Sequence, residues 1–416
     1  MLLHKSVEFD SRVRREASAL VAAGHEVTIL ELTAVAGGTR LEGFERRSAM
    51  PAEWLRRWLP FHLYRVAFLL GFVRELVAVK PEIVHAHDAA MLLPGILGSR
   101  LTGAALVYDS HELATSVPYR ERAWAWFVAA IERIVVPRCA AVITVSDGIA
   151  ARLRERYRLP CTPTVVRNVS ALQAHGEGGL RRRIGLDVDA PLVLHQGAPA
   201  PARGCEVLLG ALARLPGVHL AFLGDPEPGY GETLRAAIVA HGVGDRVALL
   251  PNVPLAELLA HTAEADVGVT LLQDTCENHR LALPNKLFEY IAAGVPVVAA
   301  DLPETRRLIE RYRVGWCAPP EDPAALADAL ALALAHCGDG ELERRLAVAA
   351  RELCWAREQK RLLALYSGLA ARMGAGDDES MRAQRRHAGQ GPVEAPGTTT
   401  GDRRSERERA HVKLPA

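Results

Sequence analysis

The sequence has little of what marks several classes of protein. Aromatic residues make up only 5% of the 416 residues, and the seven cysteines are scattered, without a C-x-x-C pair. No run of about 18 or more apolar residues is free of charge, and no signal-peptide pattern precedes the first polar residues. These absences argue against a disulfide scaffold and a membrane-spanning chain, and we expect a cytoplasmic protein with reduced thiols.

Charge is balanced over the whole chain. The 50 basic and 49 acidic residues leave a formal net charge of +1. General nucleic-acid binders rely on a strongly basic face, so we expect no nucleic-acid partner. With 49% hydrophobic residues, the chain is long enough for two domains of about 150 to 200 residues, each with its own core.

Short apolar bursts alternate with helical patterns along the chain. In the first half the strand candidates are residues 27–32, 83–86, 105–108 and 141–145. In the second half they are residues 192–196, 218–223, 247–250, 267–272 and 296–300. Helical patterns such as residues 11–23 and 124–135 lie between strands. This alternation predicts an α/β fold with two doubly wound, Rossmann-like sheets and a ligand cleft between them.

The restart of the pattern after Asn168 sets the predicted domain boundaries. We expect a first domain over residues 1–167, a second over 168–347, a helix over 348–371 and a disordered tail over 372–416, which is too polar to bury much surface. Between Met1 and the polar Lys5-Ser6 loop lie only Leu2, Leu3 and His4. Either the first strand is very short, or the natural chain starts upstream.

Residues 284–298, P-N-K-L-F-E-Y-I-A-A-G-V-P-V-V, read as a helix followed by a buried strand. Pro284 suits the first helical position, and Gly294 suits a left-handed residue that ends the helix. A helix start exposes unpaired N–H groups that attract an anion, and Lys286 adds a full charge. Glu289 is suited to accept from two sugar hydroxyls. The alternative is an ordinary Lys286/Glu289 pair on an amphipathic helix.

Seven motifs in order resemble those of the retaining glycosyltransferases of family 4, which have the two-domain GT-B fold. The resemblance covers about residues 10–369. Its motifs are D-S-R-V-R-R-E-A with A-A-G-H-E-V-T-I-L (10–30), P-E-I-V-H-A-H-D (81–88), V-Y-D-S-H-E-L (107–113), A-A-V-I-T-V-S (140–146), V-V-R-N-V (165–169), Q-G-A-P-A-P-A-R-G (196–204) and the segment 284–298.

The resemblance implies that the second domain holds a nucleotide-sugar donor. Arg203 and Gly204 match the pair that clamps the donor diphosphate, since arginine binds phosphate bidentately. The alternatives are that Arg203 is a surface arginine in a Pro/Ala loop and that Gly224 lies in a simple turn. The donor-binding residues that it implies are Gly197, Arg203, Gly204, Gly224, Asn252, Val253, Leu283, Pro284, Asn285, Lys286 and Glu289.

The chain departs from the family pattern at one of its two glutamates. Glu289 matches the second, but Leu281 stands eight positions earlier, where the family pattern would lead us to look for the first. Glu277, Asn278 and His279 lie just upstream and are candidates to contact the transferred sugar instead.

In the first domain the resemblance places His111 near the anomeric carbon, where a neutral imidazole would hydrogen-bond the donor sugar or the acceptor. His87 and Asp88 end the preceding strand and are predicted on the acceptor side. Imidazoles of His85, His87 and His111 in one cleft also suit zinc, but no fourth ligand is evident. GT-B enzymes do not need a metal, so we expect neither a metal nor another cofactor.

The predicted reaction is transfer of a hexose or a derivative to a hydroxyl of a glycan, a lipid-linked sugar or a small molecule, with retained anomeric configuration. His111, Arg203 and Lys286 are the predicted catalytic residues, because positive groups stabilise the departing diphosphate. The alternatives are a sugar-nucleotide epimerase, a phosphorylase, and a non-catalytic partner subunit of another transferase.

The segment 53–80 mixes aromatic and basic residues, including Trp54, Trp58 and Arg74. It suits either an interfacial helix pair, with peripheral contact at the inner face of a membrane, or the core-facing helix that precedes the strand at Ile83.

Overall fold

The structure is a computed structural model that describes residues 1–33, 39–50, 60–116, 122–169 and 178–388. Residues Met1–Ser367 form one compact unit. Residues Gly368–Ala416 form a second, in which the structure describes a helix up to Ala388. Among the described residues, no helix has the length and apolar character needed to cross a membrane.

A parallel sheet forms the first half of the chain, as the sequence predicts. Its strands are β1 (Leu2–Leu3), β2 (Thr28–Glu31), β3 (Thr39–Leu41), β4 (Phe44–Ser48), β5 (Ile83–His87), β6 (Ala105–Ser110), β7 (Ala141–Thr144) and β8 (Thr164–Val165). Their order is β3-β4-β2-β1-β5-β6-β7-β8, and only β3 runs antiparallel to its neighbour. The very short first strand pairs with both β2 and β5.

Helices link these strands. They are α1 (Ser11–Ala22), α2 (Phe61–Val79), α3 (Leu92–Thr102), α4 (Arg122–Val135) and α5 (Asp147–Tyr157). Asp10 caps α1 by accepting from the N–H of Val13, and Ser146 caps α5 by accepting from the N–H of Ile149. Phe72 on α2 is fully buried against the sheet, which agrees with a core-facing helix. Residues 53–59, part of the predicted interfacial segment, lie outside the described ranges.

A second, wholly parallel sheet forms the other half. Its strands are β9 (Leu192–Gln196), β10 (His219–Leu223), β11 (Val247–Leu250), β12 (Val267–Thr270), β13 (Val297–Ala300) and β14 (Gly315–Ala318), in the order β11-β10-β9-β12-β13-β14. Apolar runs such as Leu192–Gln196 are buried along their whole length because helices cover both faces of the sheet. The two-sheet α/β fold is therefore confirmed.

Helices of different lengths accompany the strands of the second half. They are α6 (Leu180–Arg183), α7 (Cys205–Leu212), α8 (Tyr230–Ala240), α9 (Leu258–Thr262), α10 (Glu277–Leu281), α11 (Asn285–Ala292), α12 (Pro303–Tyr312), α13 (Pro323–Ala335), α14 (Gly340–Glu352) and α15 (Trp355–Ala388).

The C-terminal part differs from the prediction in two respects. The expected single helix over 348–371 is divided, because α14 ends at Glu352 and α15 begins at Trp355. The predicted disordered tail over 372–416 was wrong for residues 372–388, which continue α15. Residues 389–416 lie outside the described ranges.

Candidate active site

The phosphate-directed segment forms α11, with one change at its start. Pro284 has extended backbone angles and is the N-cap, so the helix begins one residue later than predicted, at Asn285. Gly294 has φ +77°, as expected for the left-handed residue after a helix. The buried Tyr290 donates to the carbonyl of Leu194 at 2.9 Å and accepts from the N–H of Gln196 at 2.9 Å. These bonds fix α11 against the carboxyl end of β9.

Lys286 and Arg203 bring two positive charges to this end of β9. A methyl group built on Gly197 would lie 3.5 Å from Lys286 Nζ, so the ammonium stands directly over the loop that follows the strand. Burial, with the nearby charge of Arg203, lowers the pKa of Lys286 to about 8. Arg203 is 37% exposed and reaches no closer than 3.8 Å to Glu227, so its guanidinium is available to a ligand.

Two of the predicted donor glycines are required by the fold itself. Gly204 has φ +71°, and a methyl group there would lie 2.6 Å from the carbonyl oxygen of Leu271. Gly224 has φ +150°, and a methyl group there would lie 2.6 Å from the carbonyl carbon of Gly197. The loops after β9 and β10 are therefore in backbone contact, which brings both to the same point of the cleft.

Glu289 lies one turn beyond Lys286, half-buried. The side-chain amide of Gln196 donates to its carboxylate, and Gln196 in turn accepts from the hydroxyl of Thr262 at 2.6 Å. Burial raises the pKa of Glu289, against the opposing charges of Lys286 and Arg15. Arg15 belongs to α1 of the first half. Gln196, Thr262 and Arg15 were missed by the sequence analysis, although Gln196 begins one of its motifs.

Asn252, predicted near the base of the nucleotide, is exposed and donates through its side-chain amide to Asp225 at 2.5 Å. Asp225 directly follows Gly224. Val253 packs against the core of the second half. The loops after β10 and β11 are thereby joined, and Asn252 and Val253 remain predicted donor contacts.

In the first half, three predicted residues meet at the ends of β5 and β6. His111 Nε2 lies 3.2 Å from His87 Nδ1, and His111 Nδ1 lies 3.6 Å from Asp88 Oδ1. Burial disfavours the imidazolium, but Asp88 and the buried Asp109 outweigh it and raise the pKa of His111 to about 9. These carboxylates favour the imidazolium form of His111, whereas the resemblance led us to expect a neutral imidazole.

Asp109 is the centre of this cluster and was not singled out from the sequence. Arg12 of α1 donates to both of its oxygens at 3.0 Å, and His111 Nε2 lies 3.3 Å from Oδ2. Burial opposes ionisation, yet Arg12 and His111 hold the pKa of Asp109 well below its usual range. The motifs that contain Arg12 and Asp109 were quoted, but their pairing joins distant parts of the chain.

The structure brings together potential metal ligands that differ from the three histidines considered from the sequence. Glu16, His85, His87 and Asp109 place one ligand atom each within 4.8 Å of one another, and His111 is outside this set. Arg12, however, pairs with Glu16 at 3.0 Å as well as with Asp109. A fixed cation thus already pairs with both carboxylates, which disfavours a second cation there.

The three candidates for the donor sugar have other partners. Glu277 pairs with Arg152 of α5 at 2.7 Å. Asn278 is 8% exposed, and its side-chain oxygen accepts from the N–H of Leu113 at 2.9 Å. His279 Nδ1 lies 3.0 Å from both the hydroxyl of Thr275 and the carbonyl of Gln273. Glu277 and Asn278 thus join the two halves, and their predicted sugar contacts would require these bonds to break.

The start of α15 also contacts the first half. Tyr366 OH lies 2.8 Å from Nδ1 of the buried His85. Glu358 accepts from the N–H of Arg167 at 3.0 Å. The helix residues from 355 to 367 therefore return from the second sheet to the first.

Comparison with known proteins gives matches over both halves. Residues 11–169 match the model of Glycosyltransferase Family 4, and residues 190–336 match that of Glycosyl transferases group 1. Together the two matches cover most of the chain.

Two relatives are named D-inositol 3-phosphate glycosyltransferase. The protein from Xylanimonas cellulosilytica is 32% identical over 212 residues, which are 50% of this chain and 48% of that one. The protein from Acidothermus cellulolyticus is 27% identical over 338 residues, 74% of this chain and 72% of that one. The present chain thus aligns with about half the length of the first relative.

Solved structures share the fold. Sucrose-phosphate synthase from Thermosynechococcus elongatus has a TM-score of 0.69 at 21% identity, covering 86% of this chain and 93% of that one. HepE from Anabaena, in complex with UDP-glucose, has a TM-score of 0.70 at 17% identity, covering 88% of this chain and 98% of that one.

Proposed function

Because this chain belongs to glycosyltransferase family 4, we propose that it transfers a glycosyl group from a nucleoside-diphosphate sugar in the second half to a hydroxyl of an acceptor bound against the first half. The observation that carries this proposal is the arrangement of Lys286 and Arg203 at the end of β9, with Glu289 one helical turn further on. Two cations suit a diphosphate, and a carboxylate suits the ribose hydroxyls.

The chemistry asked of these residues is stabilisation of the leaving group. When the glycosidic bond breaks, negative charge develops on the diphosphate and positive charge on the sugar. Lys286 and Arg203 would stabilise the negative charge on the diphosphate. Preorganised charge of this kind supplies a large part of the rate enhancement of many enzymes. No step requires a metal ion or another cofactor.

His111 takes the position facing the donor. Because Asp88 and Asp109 favour its protonated form, His111 would contribute a positive charge on the first half and would not act as a general base. A leaving-phosphate oxygen on the same face as the incoming hydroxyl would then accept the acceptor proton. That route retains the anomeric configuration without an enzymic nucleophile, as the family resemblance implies.

The relatives narrow the substrates that we propose. HepE binds UDP-glucose, which supports a UDP-hexose donor. The names of the two relatives support a small phosphorylated polyol as acceptor. A third relative, the phosphatidyl-myo-inositol mannosyltransferase from Mycobacterium leprae, is 32% identical over 41% of this chain and 44% of that one. Its name supports an inositol phospholipid as the second choice of acceptor. A cytoplasmic location with peripheral membrane contact stays a prediction.

The test is a donor screen followed by product analysis. UDP-, GDP- and ADP-sugars are compared by thermal shift, and the best donor is then incubated with hydroxyl acceptors and followed by NMR. Transfer that retains the anomeric configuration of the donor sugar is expected. Arg203→Ala and Glu289→Ala should each lose most transfer, while Arg235→Ala on the exposed surface of α8 should not.

Three outcomes would contradict the proposal. A sugar changed without an acceptor indicates an epimerase, and a dependence on orthophosphate indicates a phosphorylase. Binding of no donor indicates a non-catalytic partner subunit. Circular dichroism of each variant shows whether a loss of transfer reflects the site or the fold.

A further inference from the structure

A second cavity, of about 440 Å³, lies beside the candidate donor site. Helix α12 forms one wall, and the end of α14 with the start of α15 forms another. Asp147 and Arg167 of the first half complete it. Leu283, which precedes the N-cap of α11, also lines it, so one loop separates this cavity from the donor diphosphate position.

The lining is rich in cations. The six basic residues are Arg167, Arg307, Arg311, Arg357, Lys360 and Arg361. Three of them are neutralised by carboxylates: Arg307 pairs with Glu304 at 2.6 Å, Arg361 with Glu358 at 3.0 Å, and Arg167 with Asp147 at 2.8 Å. The acidic Glu352 accepts from the hydroxyl of Tyr312.

The other three cations carry the excess charge. Within the described parts of the chain, Arg311, Arg357 and Lys360 have no carboxylate within 4.0 Å. Arg311 lies on α12, whereas Arg357 and Lys360 lie on α15, so two helices bring these three charges to one concave surface. Like charges gathered in this way repel one another, and a bound anion would relieve that repulsion.

We propose that this cavity binds a phosphate monoester, through Arg311, Arg357 and Lys360. Guanidinium groups bind phosphate oxygens in pairs, and a lysine supplies a third, mobile charge. The ligand is the phosphate group of a soluble ester or of a lipid headgroup, which share this chemistry. The site is separate from the donor diphosphate position and does not depend on the proposed transfer.

The first experiment uses inorganic phosphate and isothermal titration calorimetry. We expect the double variant Arg357→Gln/Lys360→Gln to lose one class of binding site, with affinity at least tenfold weaker. Arg203→Gln should leave that class unchanged, whether or not it removes a second class at the donor position. Arg214→Gln/Arg235→Gln, which removes two charges elsewhere on the second half, is the matched control.

All of the substituted side chains at the cavity are exposed, and Arg311→Gln alone provides a second, milder variant. Wild-type affinity in both cavity variants would overturn the proposal. So would a single class of site that only Arg203→Gln abolishes. Binding of nucleoside diphosphates, measured separately, tells whether the donor site has failed instead.

Two further arms distinguish the source of the phosphate. Glucose 6-phosphate represents a soluble ester, and vesicles of phosphatidylcholine with phosphatidic acid represent a lipid headgroup. If one of these two ligands binds the wild type but not the double variant, the proposal is supported and that ligand identifies the source of the phosphate group. Binding in neither arm, or binding that the double variant keeps, contradicts it.

Discussion

The titration of Lys286 should set the upper pH limit of donor capture. Burial and the charge of Arg203 lower the pKa of Lys286 to about 8 in the empty site. Only the ammonium form attracts a diphosphate, so kcat/KM for the donor should fall roughly tenfold per pH unit above about 8. Bound diphosphate favours the charged form and raises the pKa of the lysine, so kcat should fall at a higher pH than kcat/KM.

The size of the Lys286 contribution follows from its burial. Removing one partner of a buried charge pair costs about 3 kcal/mol, which is roughly a 150-fold loss. We therefore expect Lys286→Met to lower kcat/KM for the donor by about two orders of magnitude, with little pH dependence left near 8. Lys286→Arg keeps the charge and should move the pH limit well above 8.

The assay is initial-rate kinetics over a range of pH with the donor identified by the screen. His111 and Glu16, whose pKa values are raised to about 9 and about 8, also change charge in this range. The arginine variant separates them from Lys286, because it leaves both groups in place. A limit that stays near pH 8 in Lys286→Arg would refute the assignment to this lysine.

Two other predictions concern the groups around the site. Gly224→Ala should lower the free energy of unfolding by about 2 kcal/mol, because the added methyl group meets the backbone of Gly197. Thermal melts check this against the control Gly231→Ala, where a methyl group has room. Equal melting temperatures of the two variants would count against the prediction. Asp109→Asn should lower the pKa of His111 from about 9, because one of its two carboxylate partners is lost; NMR titration of the imidazole measures the shift, and an unchanged pKa would show that Asp88 alone sets it.

Much of the fold could be predicted because parallel strands in this architecture are apolar along their length. The strands Leu192–Gln196 and Val247–Leu250 have the predicted bounds. The strands β3 and β4 were missed because Thr39–Leu41 and Phe44–Ser48 mix charged and apolar residues at the edge of the sheet. The end of α14 at Glu352 was also missed, since no proline or glycine marks it.

The site was predictable where its residues lie in one short segment, as in α11. Contacts between distant segments were not. Arg12 and Asp109 are 97 positions apart, and the bond from the N–H of Leu113 to Asn278 spans 165. A polar residue such as Asn278 looks the same in the sequence whether it binds a sugar or joins two halves of the fold.

The most direct test of the account is calorimetric binding of UDP, GDP and ADP to the wild-type protein and to Arg203→Gln. We expect one equivalent of one nucleotide to bind the wild type, and its affinity to fall at least tenfold in Arg203→Gln but not in Arg235→Gln. Binding of none of the three, or equal affinity in all three proteins, would contradict the placement of the donor diphosphate between Lys286 and Arg203.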